Sequence, residues 1–410
     1  MKKYLFFLVL LFLTSSLHVC AESSLSAAFI RDHQLWIKKG EKEEQITTDK
    51  FVLSPKWSSD GRFIAYLDGD EKGEKSELFI YDTQTKINYQ PYDQVSTFDF
   101  KWSPTTNQLA YVDRGILNVT KLEKGIPKGF QNVSLGVSSF EWFPNGKDLI
   151  VSAQSELIPT GWGPVPLFKV PVNAELNTEL VKPFYTIQTN ENDLFAINAN
   201  YFKWSHDGKW LSLLAIPTAS WSNDSNTLCV LSNEGKSFQS VGKMLGNGEW
   251  VKWAPSANQL AYISGEGRFL VENKKTTIAD IPIFRQQKEY TPKGNVDLDL
   301  EWFSSDIVLV ARAKENKEWK EGPVPTMFTA LYAINLKSNE QKQMTYPDGL
   351  ELDNSIQVVN STITWLRRNE KANNQNIWIK EGLSGKEYIW IKNVDAAPAI
   401  YTTGLESLKQ

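Results

Sequence analysis

The sequence predicts an all-β fold: a β-propeller of four-stranded antiparallel blades, eight of them, with seven as the alternative. Three observations predict it. A tryptophan-turn unit recurs at Lys56-Trp57-Ser58-Ser59-Asp60-Gly61, Lys101-Trp102-Ser103-Pro104, Glu141-Trp142-Phe143-Pro144-Asn145-Gly146, Lys203-Trp204-Ser205-His206-Asp207-Gly208, Lys252-Trp253-Ala254-Pro255 and Glu301-Trp302-Phe303-Ser304. Each copy is followed by short β-branched and aromatic runs with period-2 alternation, in units of roughly 45 residues, the size of a propeller blade. Beyond the N-terminal segment, no window carries a sustained apolar stripe at helical spacing.

Taken in order, the chain opens with Lys2-Lys3, an apolar run from Tyr4 to Leu13 and a polar stretch ending Val19-Cys20-Ala21. That layout predicts a secretory signal peptide over residues 1–21, and the run is too short for a membrane-spanning helix. Cleavage after Ala21 frees the chain; the alternative is lipidation at Cys20 and attachment to the cell envelope. Residues 22–410 then form one propeller domain. Three strand candidates follow, at 27–30, 34–37 and 45–48, and six full blades begin with the six tryptophan turns. Four more candidates lie near Ile356, Ile363, Ile377-Trp378-Ile379 and Tyr388-Ile389-Trp390-Ile391, and a last one covers 399–403. The N-terminal trio lacks a first strand and the C-terminus has one to spare. Ring closure, with 399–403 completing the sheet of residues 25–50, removes both anomalies and leaves no open edge at the junction.

Composition narrows the function classes. The net charge of −4 gives no electrostatic reason to expect nucleic acid. A hydrophobic fraction of 41% fits a packed body rather than a disordered chain. With Cys20 lost in the leader, Cys229 is the remaining thiol. Its setting, Thr227-Leu228-Cys229-Val230-Leu231, predicts an inert, buried strand residue.

Trp57, Trp102, Trp142, Trp204, Trp253 and Trp302 occupy equivalent positions, so blade packing explains them. Asp60 and Asp207 serve the turn, and Gly61 and Gly208 supply its positive φ. The Trp-Ser-Xaa-Asp-Gly turn, full at 57–61 and 204–208, with an apolar strand ending in Ala-Tyr, resembles the repeat of TolB-like, or WD40-like, bacterial β-propellers. The resemblance covers residue 25 onward. The sequence departs from TolB in showing no N-terminal α/β domain, and no hydrolase domain follows the propeller as in prolyl-oligopeptidase-type enzymes. TolB's own role is therefore not implied.

Loops between second and third strands and connections between blades open on one face, the tryptophan turns on the other. The long segments 154–166, 217–226, 313–329, 184–200 and 344–356 therefore gather on a single face. Three of them carry Trp162, Trp221 and Trp319, and two share Gly-Pro-Val-Pro, at 163–166 and 322–325. Rigid, aromatic-bearing loops suit recognition; the competing structural reading buries these tryptophans as the loops' own core. Acids of the same rim are Glu191, Asp193, Asp348, Glu351 and Asp353. No nucleophile elbow, His-Glu-x-x-His, Cys-x-x-Cys or phosphate-binding glycine loop occurs, and His33 and His206 have no partner spacing. The reading is therefore a monomeric, non-catalytic secreted or envelope propeller without cofactor or metal. It binds a protein or peptide through the long-loop face. The alternative is a carbohydrate-binding or carbohydrate-active propeller, whose carboxylates leave glycoside chemistry open.

Overall fold

The computed structural model describes residues 25–92, 95–159, 161–189, 194–283 and 287–402. The leader assigned to residues 1–21, with Cys20, lies outside them. Eight four-stranded antiparallel sheets form the blades, and a two-stranded hairpin, Leu157–Ile158 with Gly161–Trp162, is inserted in the fourth. The fold is the eight-bladed propeller that the repeats predict. The innermost strands, in blade order from the second, are Val52–Trp57, Phe100–Trp102, Ser139–Trp142, Asn198–Trp204, Val251–Trp253, Asn295–Ser304 and Glu351–Val359. The first blade takes its innermost strand, Ala399–Thr402, from the C-terminus: Leu25 pairs with Thr402 and Ala28 with Ala399. Its outermost strand is Lys42–Gln45 rather than the 45–48 expected. The tight turn after Lys39 leaves no slack for the later start.

Strand alternation drives the packing, because successive side chains point to opposite faces and so to opposite neighbours. Ala28 and Ile30 of the first blade pack against Val52, Ile64 and Tyr66 of the second. Ala27 and Phe29, which alternate with them in sequence, pack against Leu366, Ile377 and Ile391 of the eighth. Likewise Phe63, Ala65 and Leu67 turn to Phe100, Leu109 and Tyr111 of the third blade. The core is thus a circle of interfaces between blades.

The tryptophans clamp this circle. Trp57 Nε1 donates to the Ala399 carbonyl, Trp102 to Lys56, Trp142 to Lys101, Trp204 to Trp142, Trp253 to Lys203 and Trp302 to Lys252, each within 2.8–3.0 Å. Each indole fastens its blade to the inner strand of the preceding one. The turns beneath them share a design. Ser58 Oγ donates to Asp60 Oδ1 (2.7 Å) and accepts from the Phe63 N–H; Ser205, Asp207 and Trp210 repeat the arrangement. Cys229 is fully buried, and burial pushes its thiol up to about 12, where it is inert.

Candidate functional site

On each inner strand the residue before the tryptophan points away from the indole's packing face, toward the following blade. Those residues are Lys56, Lys101, Glu141, Lys203, Lys252 and Glu301, all half-buried. Their contacts run from blade to blade. Lys56 Nζ donates to the Phe100 carbonyl (2.9 Å), and Lys101 donates to the Phe140 carbonyl and lies 3.3 Å from Glu141. Lys203 donates to the Gly248 (2.8 Å) and Val251 (3.2 Å) carbonyls. Lys252 sits between Glu249 (2.9 Å) and Glu301 (3.2 Å), and Gln357 Nε2 donates to the Pro398 carbonyl (3.0 Å). The inner strands around the central channel thus carry a belt of mixed charge, four lysines and two glutamates. This belt was missed in the sequence, although the signal was there: all six turn tryptophans follow a lysine or a glutamate.

Bulges set the aim of the inner strands. Pairing slips between Leu53 and Lys56, Asn200 and Lys203, and Asn354 and Gln357, with Ser54, Tyr201 and Ser355 at φ of 51°, 57° and 53°. A further slip between Asp297 and Asp299 separates two carboxylates that an unbroken strand would point the same way. Asp297 is fully buried within the blade on Arg312 (2.6 Å), whereas Asp299 is only half-buried and turns to the channel. Its oxygens accept from the N–H groups of Leu300 (2.8 Å) and Ile356 (2.7 Å). Among the described residues no lysine, arginine or histidine lies within ion-pair distance of it. Burial raises this carboxyl to about 6 against the opposing effect of those amides and of Lys252. Burial also acts on Glu249, but Lys203 and Lys252 overcome it and hold that carboxyl at about 2. Between these strands lies a cavity of about 630 Å³, lined by Glu249, Lys252, Asp299, Gln357, Gln375 and Asp395 among others.

The residues singled out from the sequence are dispersed. Trp162 is half-buried in the hairpin of the fourth blade, its carbonyl accepting from Thr189 Oγ1 (3.4 Å). Trp221 stands 62% exposed on the short helix Ala219–Ser222, edge-on to Phe195. Trp319 is half-buried, with Nε1 on the Pro323 carbonyl (3.1 Å) and its ring 4.7 Å from Phe269. Among the described residues no contact joins the three. The cleft of about 800 Å³ beside Phe269 and Trp319 is lined by four lysines and four glutamates, so it offers no net charge for selection. Asp348 is exposed, while Glu191 and Asp193 lie outside the described residues. Asp353 corrects the rim assignment. It belongs to the inner strand Glu351–Val359, fully buried on Arg367 (2.6 and 2.8 Å), because the bulge at Ser355 hid that strand's first half from the alternation pattern.

No family model and no curated protein matches this sequence. Solved structures do. A puromycin hydrolase mutant (S511A) complexed with PGG matches with a TM-score of 0.53 at 10% identity, over 85% of this chain and 55% of that one. Porphyromonas gingivalis dipeptidyl peptidase 4 gives 0.58 at 11%, over 90% and 60%. The dihydro-heme d1 dehydrogenase NirN in complex with DHE gives 0.60 at 11%, over 93% and 75%. The chain spans about half the length of the first of these. At such identities the likeness shows the fold alone, a β-propeller. TolB of Acinetobacter baumannii also matches, with a TM-score of 0.37 at 14% identity, over 78% of this chain and 62% of that one; no family model shows the narrower TolB-like family.

These matches overturn the functional reading made from the sequence. That reading took a propeller without a catalytic motif for a non-catalytic secreted module, with a carbohydrate module as its alternative. The same fold forms part of two hydrolases and a dehydrogenase, so it gives no ground for placing the chain apart from catalysis. Among the described residues no helix is long and apolar enough to cross a membrane.

Proposed function

We propose that this chain is the recognition propeller of a catalytic system, and that its central channel takes a small molecule bearing a primary amine or a similar cation. One observation carries the reading: Asp299 presents a half-buried carboxylate to a 630 Å³ cavity with no cation within ion-pair distance among the described residues. Glu249 and Asp395 share the cavity, against the single positive charge of Lys252. An ammonium placed there gains a charge-assisted hydrogen bond where bulk water is largely displaced. The likeness to propellers that are parts of enzymes supports the place beside catalysis.

Titration calorimetry with pentylamine tests this. Saturable binding is expected at about pH 7.5, weakened about tenfold or more in Asp299→Asn, the worth of one charge-assisted bond. Affinity is also expected to fall as pH drops through 6, because the carboxyl then carries its proton and offers the amine no charge. An amine that does not bind, or that binds Asp299→Asn as well as wild type at every pH, overturns the reading.

A further inference from the structure

Pairing within the 630 Å³ cavity leaves two of its acids over, and together they set the charge of the ligand. Glu249 is matched by Lys252 (2.9 Å) and Lys203 (3.7 Å). Asp299 is the first acid left, and the amine proposed above answers it. Asp395 is the second. Among the described residues the one basic group within ion-pair distance of it is His33, whose Nδ1 lies 3.8 Å away and carries a charge only when protonated. With one amine at Asp299, the cavity still holds a carboxylate without a full counter-charge.

The eighth blade carries the cavity wall from one acid to the other. At the Asp299 end, the Ile356 N–H donates to the carboxylate (2.7 Å). Asn354, two residues earlier, pairs with Leu366 on the neighbouring strand, and Arg368 of that strand pairs with Gln375. Gln375 Nε2 then donates to the Asp395 carbonyl (2.7 Å). Ile356, Leu366 and Gln375 all line the cavity, so two buried aliphatic side chains lie on the wall between the two carboxylates. The first blade fixes Asp395 as well. Its N–H donates to the Ile30 carbonyl (2.9 Å), and its Oδ2 accepts the His33 N–H (2.7 Å). Both acids are held in place by the fold, so little ordering is left to binding.

We infer that the ligand is a diamine, two ammonium groups joined by a methylene chain, with one at Asp299 and the other at Asp395. This inference rests on the amine reading given above and names the class of amine. The methylenes lie along Ile356 and Leu366, where leaving water adds to the gain from the charges. A monoamine leaves Asp395 uncompensated, and an amino acid would set its own carboxylate against it.

The test compares α,ω-diaminoalkanes of four to eight carbons, each against the 1-aminoalkane of the same length, by titration calorimetry at about pH 7.5. The best diamine is expected to bind about tenfold more tightly than its matched monoamine, the worth of one charge-assisted bond. The advantage is expected to peak at one chain length, because two fixed carboxylates define one span. Asp395→Asn is expected to abolish the advantage; its amide oxygen can still accept the His33 N–H, and circular dichroism melting curves check that it folds. Asp348→Asn, which removes an exposed carboxylate outside the cavity lining, is expected to keep it. If monoamines bind and no diamine surpasses its match, the diamine inference falls while the amine reading stands. If the advantage survives in a folded Asp395→Asn, or is lost equally in Asp348→Asn, the inference falls as well. If neither series binds, both fall.

Discussion

Gly61→Ala is expected to destabilise the protein by about 2–4 kcal/mol through damage at the seam where the ring closes. Gly61 ends the tryptophan turn of the second blade at φ +69°, in the left-handed region that costs a side chain. Its position is also crowded. A Cβ placed there falls 2.2 Å from Cε1 of Tyr401, on the strand that the C-terminus lends to the first blade. Tyr401 in turn lies against Trp57, with ring centroids 5.6 Å apart, and the Trp57 indole holds the Ala399 carbonyl. Relieving the clash means turning the Tyr401 ring off Trp57 or lifting the closing strand from its clamp. Urea unfolding of Gly61→Ala, Tyr401→Ala and the double variant separates strain from clash. The loss from Gly61→Ala should shrink by at least a kcal/mol or so in the Tyr401→Ala background, where the ring is gone. Equal losses in both backgrounds would assign the effect to backbone strain alone.

The seam also shows why so much of the fold could be read from the sequence. Six of the blades repeat a tryptophan whose indole needs a carbonyl on the preceding blade, and in the second and fifth a serine and aspartate close the turn below it. Those needs fix residue types at fixed spacing, so they survive in the one-dimensional record. Ring closure was legible for a similar reason: strands left over at one end and missing at the other have to meet.

The site was legible only in part. Lys56, Lys101, Lys203 and Lys252 stand openly before their tryptophans, but nothing local distinguishes a residue beside a channel from one facing solvent. Asp299 gave no signal at all. Its aim depends on the slip after Asp297, and a bulge erases the alternation by which a strand's two faces are told apart. The loop tryptophans failed in the opposite direction. Trp162, Trp221 and Trp319 looked like a set because their loops share a face, yet they belong to three different blades and do not converge.

Asp353 shows the same failure with the largest energetic consequence. Read as a rim acid, its replacement would alter binding and leave the fold intact. In place, it grips Arg367 through two bonds of 2.6 and 2.8 Å inside the eighth blade, with both side chains almost wholly removed from solvent. The guanidinium lies 4.4 Å from the Trp378 ring centroid, and burial, which alone would weaken its charge, is outweighed by Asp353. Asp353→Ala leaves that cation with Glu387 at 3.4 Å as its remaining carboxylate. A loss of about 3–5 kcal/mol is expected, the range for a buried pair broken on one side. Asp297 and Arg312 hold the equivalent cross-strand position in the seventh blade, and Asp297→Ala is expected to behave likewise. Removing both partners, as in Asp353→Leu with Arg367→Met, should recover most of the loss, because no charge is then left in the interior. Chemical unfolding of the single and double eighth-blade variants decides the matter. If Asp353→Ala unfolds like wild type, the pair contributes nothing to the blade. If the double variant is as unstable as the single one, the loss comes from packing rather than from the orphaned guanidinium.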